Sequence, residues 1–322
     1  MNTSSGSTKT TANAQIKMKI LLLGKNGQVG WELQRALAPL GTVIALDRNI
    51  CTAAEEVTGA EGIELCGDLS NLAHLEKTVL AVKPDVIVNA AAYTAVDKAE
   101  SDVEMATLIN SDAPVLLANL CKQLNALLVH YSTDYVFNGS GTNPWLEDQQ
   151  AEPLNVYGIT KLSGEQLIQQ SGCQHLIFRT SWVYGSKGNN FAKTMLRLAS
   201  DRDTLNVIGD QKGTPTSAEL ISDVTAHAIP LALSNKSTSG VYHLAAAGET
   251  SWYEYAKYVI EQARLMGQPL QVSQIKEIPT SEYPTPAIRP LNSRLNCDKL
   301  RAKFGLCLPH WKSSVDRMLQ EL

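Results

Sequence analysis

No apolar run in this chain approaches the ~18 residues that a membrane-spanning helix needs, so a membrane-embedded role is excluded. Basic residues are not in surplus. The 28 Lys and Arg stand against 32 Asp and Glu, a formal net charge of −4, and nucleic acid is therefore not an expected partner. Cysteine is sparse and scattered. The six, at 51, 66, 121, 173, 297 and 307, show no C-x-x-C or metal-ligand spacing and read as reduced thiols of a cytoplasmic protein. The six histidines do not cluster, so no zinc site is expected. The first 17 residues lack acidic residues, arginine and any apolar stretch. They are expected to be a disordered leader, neither a signal peptide nor a targeting segment. No internal repeat is present.

What remains is ordinary for a globular protein, 44% hydrophobic and 19% charged over 322 residues, enough for one large or two modest domains. The first informative segment is Gly24-Lys25-Asn26-Gly27-Gln28-Val29-Gly30. It follows the apolar run Lys19 to Leu23, which reads as a buried strand, and precedes a helical pattern from Gln28 to Leu40. In that setting the glycines allow a tight turn and a close approach to a pyrophosphate, while the helix N-terminus offers free N–H groups to the anion. A second apolar run, Thr42 to Leu46, ends at Asp47, which is placed to take ribose hydroxyls. Arg48 is either a partner for a 2′-phosphate or a solvated loop cation, so NADPH and NADH both stay open. Asp68 and Leu69 are added to the cofactor-binding set.

The second segment is Tyr157-Gly158-Ile159-Thr160-Lys161. A helix over Ile159–Gln170 would put Tyr157 and Lys161 on one face. A free phenol is a poor acid near neutrality, and a neighbouring ammonium lowers its pKa. Such a tyrosine can protonate a carbonyl oxygen while hydride reaches the carbon. Alone, Tyr-x-x-x-Lys is more readily an exposed helix start, since the pattern often arises by chance. The strand Leu127 to Tyr131 adds a third member, because it delivers Ser132 and Thr133 to the end of a sheet where ligands bind, with either hydroxyl able to hold a substrate oxygen.

Strand and helix patterns alternate beyond the leader. Val86–Val88 precedes a helical stretch from about Val96 to Leu124, then come Leu127–His130, the Tyr/Lys helix and His175–Phe178. This predicts an α/β fold, a doubly wound parallel sheet of Rossmann type. Residues 18–182 form the dinucleotide-binding domain. Residues 183–322 are mainly a smaller, irregular substrate-binding region, with helices over 190–200 and 311–322 and a proline-rich connection over 279–290.

Taken together, Gly24/Gly27/Gly30, Asn89-Ala90-Ala91-Ala92, Ser132-Thr133-Asp134-Tyr135-Val136-Phe137 and Tyr157/Lys161 resemble the extended short-chain dehydrogenase/reductase superfamily. The likeness narrows further. Gly24 to Gly30, Ala92-Tyr93-Thr94-Ala95-Val96-Asp97-Lys98-Ala99-Glu100, Arg179-Thr180-Ser181-Trp182-Val183-Tyr184, Gly188-Asn189-Asn190-Phe191, Gly213-Thr214-Pro215-Thr216 and Arg289-Pro290-Leu291-Asn292-Ser293 resemble the dTDP-4-dehydrorhamnose reductases. The resemblance runs from about Met18 to the C-terminus.

It implies reduction of the C4 ketone of dTDP-4-dehydro-L-rhamnose with NAD(P)H, giving dTDP-L-rhamnose for cell-surface polysaccharide. It also implies catalytic Thr133, Tyr157 and Lys161, and a phosphate turn formed by Gly24, Asn26, Gly27, Gln28, Val29 and Gly30. Ala90, Ala91, Ala92 and Thr94 would line the cofactor's path. Val96, Thr133, Asp134, Trp182, Asn189, Asn190 and Arg289 would line the substrate's. Trp182 would face the sugar, or else fill the core. Arg289 has the planar fork that suits a diphosphate. A segment at about 216–244 would return to the first domain.

Some members of the family are metal-bridged dimers. Glu32 and Glu321 match two of their carboxylates and the third lies near Asp201 or Asp203, so a homodimer is possible and Mg²⁺ doubtful. Two rival functions stand beside the reductase. A 4,6-dehydratase or epimerase on the same fold would differ at Thr133-Asp134-Tyr135, where dehydratases carry Thr-Asp-Glu. A non-catalytic regulatory subunit would have no chemical need for Thr133, Tyr157 and Lys161 together.

Overall fold

The computed structural model describes residues 18–322, and the expected leader lies outside the described residues. From the N-terminal side β1 (Lys19–Leu23), α1 (Gln28–Leu37), β2 (Thr42–Leu46), α2 (Leu72–Val82), β3 (Val86–Asn89), α3 (Ala113–Leu124), β4 (Leu127–Thr133), α4 (Val156–Ser171) and β5 (Gln174–Thr180) alternate. The strands are apolar on both faces, the pattern of a sheet covered by helices on either side. In β1, Ile20 and Leu22 face Leu33 and Leu37 of α1. Leu21 and Leu23 face the other layer, with Leu75 and Val79 of α2 and Leu117 of α3. All four strand residues are fully buried. Cutting one such leucine to alanine costs about 2–5 kcal/mol.

The later elements are α5 (Phe191–Asp201), β6 (Thr204–Ile208), α6 (Ala218–Ser234), β7 (Gly240–His243), α7 (Trp252–Leu265), β8 (Gln274–Ile278) and α8 (Trp311–Gln320). The main sheet has six strands in the order β7-β5-β4-β3-β1-β2, every neighbouring pair parallel. α6 packs beside α1 and β7 pairs with β5, so residues 218–243 lie with the first sheet. β6 and β8 form a separate parallel pair over Met195, Leu205, Val207 and Ile260. Trp311, Val315 and Leu319 of α8 join Tyr184 and Tyr255 in another cluster. Among the described residues, no helix is long and apolar enough to cross a membrane.

Two details of the topology place the site. From β1 the chain turns to β2 on one side and later inserts β3 on the other. That reversal opens a crevice beyond the carboxyl ends of β1 and β3. The register then sets Leu23 beside Asn89 and Asn89 beside His130.

Two expected helices differ in the structure. The stretch from Val96 to Leu124 is not continuous. It divides into Val96–Ala99, Val103–Thr107, a wide π-type turn at Leu108–Asp112 and α3. Polar anchors break it. The Tyr93 hydroxyl donates to Asp102, and the side chain of Asn110, inside the wide turn, bonds both the N–H and the C=O of Tyr93. Helix α4 also begins earlier than expected, at Val156, because the Asn155 side chain caps it by accepting from the Gly158 N–H at 2.8 Å.

Candidate active site

The crevice is a cleft of about 1450 Å³. That exceeds the ~300–1,000 Å³ of a pocket for one drug-sized ligand, so two ligands can lie in it together. One end is built by the glycine turn. Gly24 has φ +84°, and a Cβ there would sit 2.7 Å from the Ala91 backbone nitrogen. A Cβ on Gly30 would sit 2.0 Å from the Gly24 carbonyl oxygen. The turn is thus packed between α1 and the segment after β3. Gly27 is the N-cap of α1 and caps it with no side chain, so the first-turn N–H groups keep their donors for an anion. These features fit a dinucleotide phosphate.

Gly24, Asn26, Gly27, Gln28, Val29, Asp47, Arg48, Asp68, Leu69, Ala90, Ala91, Ala92 and Thr94 all line the cleft. Gly30 lies behind them, against Gly24. Asp47 accepts from the Asn49 N–H at 2.8 Å and from Asn26 Nδ2 at 2.7 Å, with Lys25 Nζ 3.6 Å away. The Asn49 N–H holds this carboxyl below its usual range, and Lys25 and Asn26 add to the effect. Arg48 is exposed at the rim. Asp68 accepts from the N–H and hydroxyl of Ser70.

Thr133, Tyr157 and Lys161 line the middle of the same cleft. Thr133 ends β4, where its hydroxyl accepts from the Tyr135 N–H and donates to Asp134 Oδ1, both at 3.1 Å. Tyr157 sits in the first turn of α4. That turn comes so close to the segment after β4 that a Cβ on Gly158 would lie 2.2 Å from the Tyr135 carbonyl oxygen. Burial pushes the Tyr157 phenol up to about 12, and the neighbouring Thr133 hydroxyl pulls the other way. Lys161 makes no hydrogen bond to the phenol among the described residues. Its Nζ points to β4, donating to the Tyr131 carbonyl at 2.6 Å and lying 3.1 Å from His130 Nε2. The side chain is fully buried, and burial brings the ammonium down to about 8. Asp134 is buried beside the three, its Oδ2 without a partner among the described residues. Burial pushes its carboxyl up to about 6, against hydrogen bonds from Ser293 and Thr133.

Other side chains hold this set in place. Glu165 of α4 and Arg179 of β5 form a buried pair, with Arg179 Nη2 2.6 Å from Glu165 Oε2 and its Nε 3.0 Å from Oε1. Removing one partner of such a pair costs about 3–5 kcal/mol, so α4 is firmly tied to the sheet. Asn110 donates to the Thr160 hydroxyl from the wide turn.

The substrate-side residues divide. Val96, Asp134, Trp182 and Asn189 line the cleft. Trp182 has a left-handed backbone, φ +48°. Its ring stacks on Trp252 with centroids 3.5 Å apart and planes 12° apart. It therefore both lines the cleft and packs. Asn190 does not line the cleft. It caps α5 by accepting from the Lys193 N–H and donates to Gln28 Oε1 at 3.1 Å, tying the phosphate turn to the second part of the chain. Arg289 is also off the lining. Its guanidinium is bidentate on Asp97, at 2.8 and 3.2 Å, one side chain back from Val96. Missed from the sequence were Trp252, Tyr93, Asn110 and His130. Helical spacing makes Trp252 look like a core residue, and the other three act across elements distant in sequence.

Glu32 and Glu321, the two carboxylates matched to a metal bridge, share a neighbour. Glu219 of α6 faces Glu32 and Glu321, and burial together with these neighbours raises its pKa. Asp201 ends α5 and Asp203 follows it, where the Asp203 carbonyl accepts from Ser273 and Gln274. Arginines already attend the cluster, Arg35 on Glu32 and Arg317 on both Glu219 and Glu321. Among the described residues, no group of His, Cys, Asp and Glu is arranged to hold a metal ion.

Residues 18–322 match the family model described as the RmlD substrate binding domain. A dTDP-4-dehydrorhamnose reductase of Escherichia coli (strain K12) is 55% identical over 305 residues, covering 95% of this chain and 98% of the relative. The chain belongs to the dTDP-4-dehydrorhamnose reductase family. A solved dTDP-4-dehydrorhamnose reductase of Bacillus anthracis str. Ames, in complex with NADP, superposes with a TM-score of 0.81 at 31% identity, covering 95% of this chain and 100% of that one. One from Clostridium acetobutylicum ATCC 824 superposes at 0.80 with 35% identity, covering 94% and 99%.

Proposed function

We propose that this chain reduces the C4 ketone of dTDP-4-dehydro-L-rhamnose to dTDP-L-rhamnose, using NADPH or NADH. The observation that carries the reading is the opening of Thr133, Tyr157 and Lys161 onto the same cleft as the glycine turn, in a chain of this family. A bound nicotinamide would supply the hydride that reaches C4. Thr133 holds the ketone oxygen by its hydroxyl, and Tyr157 gives that oxygen its phenolic proton, so C4–OH replaces C4=O. Burial at the cleft floor keeps Tyr157 protonated at neutral pH, the form a proton donor needs. Trp182, on the cleft lining beside Trp252, faces the sugar, and Arg289, released from Asp97, serves the diphosphate. Asp47 takes the adenosine ribose, and Arg48 favours NADPH over NADH. The product would feed rhamnose-containing cell-surface polysaccharide. A homodimer and a cytoplasmic location belong to the same reading.

The test is incubation of the purified chain with NADPH and dTDP-4-dehydro-L-rhamnose, beside UDP- and GDP-linked ketones, with product identification by NMR. dTDP-L-rhamnose is expected. Inactivity on the dTDP-linked ketone alongside turnover of an unrelated carbonyl would overturn the substrate. Light scattering on the same sample reads the oligomeric state.

A further inference from the structure

Beside the Thr133/Tyr157/Lys161 set stands a buried titratable side chain that the proposed reduction does not use. His130 stands three residues before Thr133 on β4 and is 1% exposed, as are Asn89 and Lys161. The strand register places His130 beside Asn89 of β3. Asn89 Nδ2 lies 3.2 Å from His130 Nδ1, and Lys161 Nζ lies 3.1 Å from His130 Nε2. The imidazole is thus the middle of a buried polar chain.

That chain has a direction. Asn89 Oδ1 accepts from the Ala91 N–H at 3.2 Å, which turns the Asn89 NH₂ towards the imidazole. An amide NH₂ donates and does not accept, so Nδ1 must carry a lone pair. The proton of a neutral imidazole is then on Nε2, and it points at Lys161. An ammonium has three donors and no acceptor, so a charged Lys161 would set donor against donor. A neutral amine accepts from the Nε2–H with its lone pair and still donates to the Tyr131 carbonyl. Reversing the chain would require the Asn89 amide to flip, which would place its NH₂ against the Ala91 N–H.

We propose that His130 is a positioning residue for Lys161. Its Nε2–H donates to the neutral Lys161 amine and holds that side chain against β4, favouring the uncharged form over the ammonium in the ligand-free protein, so that filling the cleft is coupled to proton uptake at Lys161. The proposal rests on the reading of Lys161 as part of the catalytic set. Burial acts in the same sense, drawing Lys161 down to about 8 and His130 well below its usual range. The other groups facing Lys161 are few. Helix α4 contributes Tyr157 and Glu165, and the Glu165 carboxylate favours the ammonium but is engaged by Arg179 of β5. Strand β4 contributes Tyr131, whose hydroxyl bonds Thr225 of α6. Strand β3 contributes only the uncharged Asn89.

The experiment is NMR on the full, ligand-free chain. Histidine ¹⁵N spectra read the tautomer of His130. Lysine ¹³Cε shifts read amine midpoints, with Lys161 assigned by the signal lost in Lys161→Met. The unaltered protein should show His130 protonated on Nε2 and a Lys161 midpoint near 8. His130→Phe keeps the burial but has no N–H to donate. It should raise the Lys161 midpoint by about half to one pH unit, the loss of one ordinary hydrogen bond to the neutral form. A histidine that accepted from the ammonium would give the opposite sign, and a spectator would give no shift. Either result overturns the proposal, as does an Nδ1-protonated ring, and the tautomer is read without any substitution. NADPH added to weakly buffered unaltered protein near pH 8 should draw protons from solution, and no uptake removes the coupling. None of these readouts uses the ketone, so failure of the reductase assay and failure of this proposal are separable.

Discussion

Gly27→Ala separates the phosphate-binding role of the turn from its packing role. The three glycines are not equivalent. A Cβ on Gly30 would lie 2.0 Å from the Gly24 carbonyl, and one on Gly24 2.7 Å from the Ala91 nitrogen. Both contacts are to backbone, which cannot yield without moving α1 or β3, so those substitutions damage the fold along with the site. A Cβ on Gly27 meets only the Gly24 carbonyl oxygen, at 3.4 Å, an ordinary contact. Gly27 also has φ −73° and ψ 166°, extended backbone open to any residue. Two stability effects then oppose each other. Alanine reduces the freedom of the unfolded chain, a gain of about 0.4–1 kcal/mol. It is also a poorer N-cap than glycine, a loss of roughly 0.5–1 kcal/mol. The net change should stay within about 1 kcal/mol, or a melting shift of about 2–4 °C. The added methyl group lies where a pyrophosphate must approach the α1 N-terminus. Loss of one charge-assisted N–H bond costs about 1.5–3 kcal/mol, so NADPH affinity should fall about 10- to 150-fold. The assay is calorimetric titration with NADPH beside a thermal melt. Unchanged affinity in a folded variant would refute the placing of the phosphate on this turn.

Tyr157→Phe should lower turnover by about 10²–10⁴-fold, the usual worth of a general acid, with NADPH affinity nearly kept; near-normal steady-state turnover would remove Tyr157 from its role. Arg48→Ala should weaken NADPH by a charge-assisted bond of about 1.5–3 kcal/mol and leave NADH untouched; titrations showing equal losses would mean that Arg48 does not read the 2′-phosphate. Arg289→Ala should raise KM for the nucleotide sugar more than it lowers kcat, because a diphosphate contact is made in ground and transition states alike, and Asp97→Asn, which frees the guanidinium, should not raise it; steady-state kinetics of both variants decide the point. Asp134 has a folded pKa of about 6 against an ordinary 3.8, so between those values the folded state holds a proton that the unfolded state has released. Stability from this group is therefore lost as pH rises through that window, by up to about 3 kcal/mol. Asp134→Asn should flatten that part of the urea-unfolding profile, and an unchanged slope would count against a buried, unpaired carboxyl.

The sheet was readable because its strands are written as unbroken apolar runs, and Lys19–Leu23, Thr42–Leu46 and Val86–Val88 can be buried on both faces only between two helical layers. The stretch from Val96 to Leu124 was not readable as it folds. Its periodicity is helical almost throughout, and its breaks come from Tyr93 bonding Asp102 and Asn110, partners that local pattern does not reveal. The glycine turn and Thr133, Tyr157 and Lys161 were legible because each carries its chemistry in a short spacing. Arg289 was legible as a cation and not as one already paired with Asp97, 192 positions away. Asn190 likewise showed its hydrogen-bonding capacity but not that Gln28 and the end of α5 take it up.

The direction of Lys161 has the same origin. Four-residue spacing puts Tyr157 and Lys161 on one face of α4, but it does not decide where a long, flexible side chain ends. That is decided by what the adjoining strands offer. β4 presents a carbonyl at Tyr131 and an imidazole at His130, and β3 fixes the imidazole's tautomer through Asn89. A buried ammonium is costly unless acceptors surround it, and here one of its two neighbours is turned to donate. In the ligand-free protein Lys161 is therefore satisfied by the sheet and leaves the phenol's acidity to burial. On the proposed role of His130, a change in that acidity brought about by Lys161 begins with Lys161 leaving His130, which makes the second layer of polar residues part of how the first is controlled.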